Sequence, residues 1–234
     1  MQIYNIITGF FLDLFFPKRC VGCGKADFFL CYECSTQIEI IRTAICADCG
    51  KINKYGQFCS SCKKRLNTNL SGLIIGAEYD AGPLKELIHH LKYSGITELV
   101  PILSELIYER IKNKLPTGDK VVVPVPLYRK RKAQRGYNQS ELIARYLSKK
   151  LKLPGGDVLI RVKDTQTQVG LSRNERKLNL KGAFVCEDDD FVRNKVVLLI
   201  DDVATTYSTL NECSMILKEA GARQIYGVVV AKRI

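Results

Sequence analysis

Tryptophan is absent from the 234 residues and aromatic side chains make up only 9% of them, so any stacking on a nucleobase falls to tyrosine and phenylalanine. An export signal is missing as well. Residues 1–16 have no basic opening stretch and no small-residue cleavage site, and Asp13 interrupts their apolar run. The same stretch is too short to cross a bilayer. Lys and Arg do not line a polar face of it, so it reads as a short amphipathic helix packing Ile3, Ile7, Phe10, Phe11 and Leu14 on the protein body, not as a membrane-surface helix. These absences predict a reducing, cytoplasmic setting without disulfides and without a membrane span.

Positive charge and cysteine are in excess. The chain carries 36 Lys and Arg against 24 Asp and Glu, a formal charge of +12, and such a surplus attracts polyanions before any specific contact forms. With 46% hydrophobic and 26% charged residues the composition is that of a globular protein of one or two domains. Of ten cysteines, eight fall before residue 63 in four CxxC pairs: Cys20 with Cys23, Cys31 with Cys34, Cys46 with Cys49, and Cys59 with Cys62. Tetrahedral zinc takes two such pairs, so the ligands suffice for two closed structural sites. A thioredoxin-like motif needs one pair and iron–sulfur ligation uses other spacings. Short intervening stretches favour neighbouring pairs on one ion, with an interleaved cross-brace as the alternative. Cys213 lies on an apolar helical stripe and reads as a small core residue; Cys186 is given no catalytic role.

After residue 66 the pattern changes to apolar runs alternating with helical periodicity, the signature of an α/β domain. Residues 73–79, 121–125, 158–162, 183–185, 196–200 and 225–231 read as strands. Helices are marked by Leu84, Leu87, Ile88 and Leu91; by Leu103, Leu106, Ile107 and Ile111; by Leu142, Ile143, Tyr146 and Leu147; and by Leu210, Cys213, Leu217 and Ala220. His89 and His90, flanked by Lys85 and Lys92, read as surface or packing residues. Near-continuous strands such as VVLLI predict a doubly wound, mostly parallel sheet covered on both faces. The expected organisation is an N-terminal helix over 1–16, a four-cysteine zinc-ribbon module over 17–66, and an α/β domain over 67–234.

The stretch VVLLIDDVATTYSTLNECSMILKEAGA, 196–222, carries the most chemistry. A buried strand delivers Asp201 and Asp202 to its carboxyl end, where ligands of open α/β sheets bind. A turn with Thr205, Thr206, Ser208 and Thr209 then opens a helix whose free N–H groups suit a phosphate. Adjacent carboxylates suit the vicinal hydroxyls of a ribose, so the pair of features describes a sugar phosphate.

DDVATTYST resembles the phosphoribosyl pyrophosphate (PRPP) signature of type I phosphoribosyltransferases. That resemblance implies that Asp201 and Asp202 hold ribose hydroxyls, that Ala204, Thr205, Thr206, Tyr207, Ser208 and Thr209 form the 5′-phosphate loop, and that Mg²⁺ accompanies PRPP. Tyr207 departs from the usual Gly, whose freedom allows close backbone approach, and is expected to shift the loop. With RGYNQSE (135–141), the spaced residues of TQTQVGLSRNERKLNLKGAF (165–184), PLKELIHHLKYSG (83–95) and the cysteine module, essentially the whole chain is similar to the ComF family, a double zinc ribbon joined to a phosphoribosyltransferase-like domain. The family implies handling of incoming single-stranded DNA during natural transformation, with DNA-uptake proteins as partners.

The charge is localised. Residues 127–181 hold 15 Lys and Arg against 4 Asp and Glu. Arg129, Lys130, Arg131, Lys132 and Arg135 follow the strand 121–125 where related enzymes place a pyrophosphate-binding loop, and Arg173, Arg176 and Lys177 correspond to their mobile loop. A pyrophosphate engages a few of these cations. The surplus fits single-stranded DNA, with Tyr128 and Tyr137 as stacking partners, against the plainer alternative of a solvated basic face. Eight thiolates on two zinc ions would neutralise the cysteine module, which moves the expected DNA contact beside the pyrophosphate site. Three functions follow: a nucleic-acid-handling protein with a PRPP pocket, an active phosphoribosyltransferase of nucleotide metabolism, and a zinc-scaffolded protein adaptor.

Overall fold

A computed structural model describes residues 18–112, 115–164, 180–205 and 207–233. The expected helix over 1–16, Thr206, and the mobile-loop residues Arg173, Arg176 and Lys177 lie outside these residues.

Six strands are described: β1 (Gly72–Glu78), β2 (Lys120–Pro124), β3 (Leu159–Arg161), β4 (Phe184–Cys186), β5 (Val196–Ala204) and β6 (Gln224–Lys232). Four make an all-parallel sheet in the order β1-β6-β5-β2, and β3 pairs antiparallel with β4 beside it. Eight helices accompany them: α1 (Tyr32–Ser35), α2 (Ser60–Leu66), α3 (Leu84–Tyr93), α4 (Leu99–Ile111), α5 (Arg129–Arg135), α6 (Gln139–Leu151), α7 (Asp189–Val192) and α8 (Ser208–Glu219). Val196, Leu198 and Ile200 of β5 face α3, α4 and α6, while Val197 and Leu199 face α8 and the segment around Cys46, Phe58 and Cys62. Both faces of the central strands are covered, which is why they read as unbroken apolar runs.

The cysteine module closes the open edge of β1. Residues 39–41 and 56–58 run along that strand, with Phe58 N–H on the Ser71 carbonyl at 3.0 Å and Ile41 N–H on the Gly76 carbonyl at 3.0 Å. Gly72 permits the seam, since a Cβ there would stand 2.4 Å from the Gly56 carbonyl oxygen. An unpaired edge is thereby satisfied within the chain.

Two expectations are corrected. Arg129–Arg135 is a helix and not a loop: seven good helix formers run unbroken until Gly136, at φ +85°, closes the turn in the left-handed region. Tyr128 and Tyr137 are not surface platforms. Tyr128 is 8% exposed, and the Tyr137 hydroxyl donates to the Leu91 carbonyl while its ring packs on the α3 face of the core.

Candidate functional site

The paired cysteines form two groups in chain order: Cys20, Cys23, Cys31 and Cys34, then Cys46, Cys49, Cys59 and Cys62, with the ligand atoms of each group within 4.8 Å of one another. Neighbouring pairs therefore meet, and the cross-brace does not form. Each group is built twice over from one plan. In CVGCGK and CADCGK a tight turn lets Gly24 and Gly50 donate N–H bonds of 2.8 Å to the Cys20 and Cys46 carbonyls, both glycines standing at φ +76°. The second pair opens a helix, with Cys31 capping α1 and Cys59 capping α2. Sγ–Sγ separations of 3.6 Å for Cys23–Cys31 and 3.7 Å for Cys49–Cys59 match the roughly 3.8 Å edge of a tetrahedron with Zn–S bonds of about 2.3 Å.

Thiols crowded this closely ionise unequally. At Cys20 burial opposes ionisation, but N–H groups of Cys31, Cys23 and Gly22 outweigh it and bring the thiol down to about 6. Burial and the neighbouring cysteines push Cys34 well up. A bound cation is what lets all four ionise together, so both groups fit structural zinc, whose role in a closed four-thiolate set is to cross-link the fold.

A cavity of about 560 Å³ opens at the carboxyl ends of β2 and β5. Strand β2 ends opposite Ile200, so Asp201 projects past it toward the cavity. Ser140 donates its hydroxyl to Asp201 Oδ1 at 2.9 Å, and the Asp202 N–H adds a bond of 2.9 Å to the same oxygen. Ser140 is itself fixed by Asn138, the N-cap of α6, which accepts the Ser140 N–H at 3.1 Å and donates to the Val125 carbonyl at 3.0 Å. The RGYNQSE motif is thus a support for Asp201. Asp202 turns away from the cavity, with 5% of its side chain exposed, and meets Lys92 Nζ at 2.9 Å.

Burial and close charges perturb the titration of this cluster. Burial and the neighbouring Asp202 push Asp201 up to about 7, even with Lys92 acting the other way. At Lys92 burial disfavours the ammonium, yet Asp202 and Asp201 together raise its pKa above the ordinary value. Burial, with Arg131 adding to it, lowers the pKa of the Arg161 guanidinium. Arg131, Arg135, Arg161 and Arg233 all line the cavity, which is therefore a cationic bowl with one carboxylate on its floor.

The structure brings Asp201, Thr205, Thr209, Arg131 and Arg135 to that one cavity, from segments some seventy residues apart in sequence. Asp202 lies behind it on Lys92. Ala204, Tyr207, Ser208, Arg129, Lys130 and Lys132 are not among its lining residues; Lys132 pairs with Glu141 at 2.7 Å and Lys130 with Asp164 at 3.6 Å. Sequence reasoning missed Lys92, Asn138, Ser140, Arg161 and Arg233. Spacing held a clue to Lys92, because Leu84, Ile88 and Lys92 recur every four residues and share one helix face. His89, expected at the surface or in packing, lines the cavity next to Tyr93, their rings 4.8 Å apart.

Comparison with known proteins adds four findings. Residues 11–63 match the double zinc ribbon domain family. Over 226 residues the chain is 36% identical to competence protein F of Haemophilus influenzae, covering 90% of this chain and 95% of that protein. DNA utilization protein YhgH of Escherichia coli K12 is 34% identical over 84% of this chain and 87% of its own length. Among solved structures, a purine phosphoribosyltransferase from Pyrococcus horikoshii Ot3 aligns with 56% of this chain and 80% of its own at 16% identity and a TM-score of 0.34.

Proposed function

This chain belongs to the competence protein F family, and we propose that it takes part in DNA uptake by binding PRPP with Mg²⁺ in the cavity and single-stranded DNA on the basic face beside it. The relatives named competence protein F and DNA utilization protein support the general role. One observation carries the finer reading: Asp201, Thr205, Thr209, Arg131 and Arg135 line the same cavity. Its volume lies in the range of small-molecule sites.

In this reading Thr205 and Thr209, at the N-terminus of α8, take the 5′-phosphate. Arg131 and Arg135 take the pyrophosphate as bidentate donors. Asp201 faces the ribose diol and is the carboxylate suited to a hard cation; bound Mg²⁺ would neutralise pyrophosphate charge. Asp202 sets the position of Lys92 and contacts no ligand. DNA phosphates meet Arg129, Lys130 and Lys132 on α5. With Tyr128 buried and Tyr137 half-buried against the core, the aromatic for a base is Tyr93, which is 67% exposed and stands under Arg135, whose guanidinium carbon is 5.4 Å from the ring centre. No helix among the described residues is long and apolar enough to cross a membrane.

Calorimetry with Mg²⁺ and PRPP tests the cavity: wild type should release heat that Asp201→Asn loses, and a silent wild type overturns the reading. Anisotropy of a labelled unstructured oligonucleotide tests the face. Reversing Arg129, Lys130, Arg131 and Lys132 to Glu should abolish a salt-sensitive affinity, and Tyr93→Ala should weaken it by about 1–3 kcal/mol. Unchanged affinity in both variants removes the DNA assignment.

A further inference from the structure

Tyr207 stands between Thr205 and Thr209, yet its side chain leaves the cavity and crosses to the cysteine module. Its hydroxyl donates to the Ala47 carbonyl at 2.9 Å. Ala47 is inside the CADC turn, directly after Cys46. The Tyr207 ring also meets Phe58, the residue before Cys59, edge to face at 5.6 Å and 76°. One side chain thus touches both ligand-bearing segments of the second four-cysteine group. Lys232, at the end of β6, donates to the same Ala47 carbonyl at 2.6 Å and lies 5.9 Å from the Tyr207 ring centre.

The first group packs in another direction, with Val21 and Leu30 against the cluster that holds Leu84, Leu87 and Ile88 of α3. Cys20, Cys31 and Cys34 make a small cluster of their own, whereas Cys46 and Cys62 belong to the core that includes Ala204 and Leu210 on either side of the turn. Metal held by the second group would fix the carbonyl on which Tyr207 rests, and Tyr207 is the residue from which α8 starts.

We propose that Tyr207 is a positioning residue that couples the Cys46–Cys49–Cys59–Cys62 metal site to the ligand-facing turn before α8, so that zinc at this site, and not at the first, orders the turn. The structural half of this coupling stands without a ligand; its effect on binding rests on the PRPP reading above. By linkage, whatever binds the turn should in return slow zinc loss from the second site.

Amide hydrogen exchange on the full zinc-loaded chain tests the coupling directly. Exchange across residues 207–211 should rise at least severalfold in Cys46→Ser/Cys49→Ser, whose zinc content should fall from two to one per chain, and in Tyr207→Phe with both ions retained. Cys20→Ser/Cys23→Ser should leave that segment unchanged. Equal exchange in the two cysteine variants, or wild-type protection in both Tyr207→Phe and Tyr207→Phe/Lys232→Met, overturns the proposal; the double variant removes both bonds to Ala47. For binding, loss of one hydrogen bond predicts an affinity for Mg²⁺ and PRPP reduced about fivefold in Tyr207→Phe. Wild type that binds while Tyr207→Phe binds equally well removes the effect on ligand. Wild type that shows the exchange pattern but no binding heat removes the PRPP reading and leaves the coupling in place.

Discussion

Asp201 should hold the fold back at neutral pH, and removing its charge should show by how much. Its pKa rises from 3.8 in an open chain to about 7 in the folded protein. The folded state therefore holds a proton that the unfolded chain releases, so this residue's contribution to stability is fully present below about pH 4 and is lost as the pH climbs through about 7. Asp201→Asn keeps the shape and an oxygen to accept the Ser140 hydroxyl and the Asp202 N–H, but it cannot ionise. The stability gap between variant and wild type should widen with pH. From pH 5.5 to 8 the shift amounts to about 1.5 pH units at about 1.4 kcal/mol each, and water in the open cavity screens part of it, leaving about 1–2 kcal/mol. For a chain of this length that is a widening in Tm of about 2–8 °C, read by thermal melts at fixed zinc concentration. The same proton links to ligand. A cation or diol that needs the carboxylate must displace it, so wild-type affinity for Mg²⁺ and PRPP should tighten by up to about 30-fold over that interval. A constant offset between the two proteins across the pH range, or a gap that narrows as pH rises, would refute the argument.

Lys92→Met should destabilise the protein by about 3–5 kcal/mol in denaturant titrations, because it strands a carboxylate buried beside Asp201; adding Asp202→Asn should recover most of the loss, and a non-additive pair is the signature to look for. Metal analysis should return two zinc ions per chain, with chelation first exposing residues 18–66 to protease, since thiolate–metal bonds cross-link a segment whose only helices are the short α1 and α2; a stoichiometry of one would contradict the two four-cysteine groups. Raising salt should weaken oligonucleotide binding steeply and leave the zinc content unchanged, which separates the counterion effect on α5 from any effect on the cysteine module.

What a local pattern can reveal divides cleanly from what it cannot. Four CxxC pairs announce their chemistry because two thiolates three residues apart reach one ion whatever the rest of the chain does, and the strands announce theirs because burial on both faces leaves no polar position over residues 196–200 of β5. Asp201, Thr205 and Thr209 were legible for a similar reason: strand, carboxylate and hydroxyl turn follow one another in order. Lys92 was not, since its partner Asp202 lies over a hundred residues away and a lysine on a helix is ordinarily solvated. Neither was the packing of the Tyr128 and Tyr137 rings against the body of the protein, because a basic segment predicts exposure for its charges and says nothing of the rings among them. The α5 helix was hidden by analogy: a loop was expected from position in the fold, while the run of Arg, Lys, Ala and Gln carried helix propensity all along.

Tyr207 shows the limit most sharply. Judged against its neighbours in sequence, it stands where the phosphoribosyltransferase signature usually has glycine and is expected to shift the loop. In the fold its side chain takes the opposite direction, 160 residues back along the chain to Ala47, and does not line the cavity at all. Glycine in that position would leave Lys232 as the one side chain bonded to the Ala47 carbonyl among the described residues. The side chain that looked like an obstruction is instead a contact between the second four-cysteine group and the turn before α8, a relation that only tertiary packing creates.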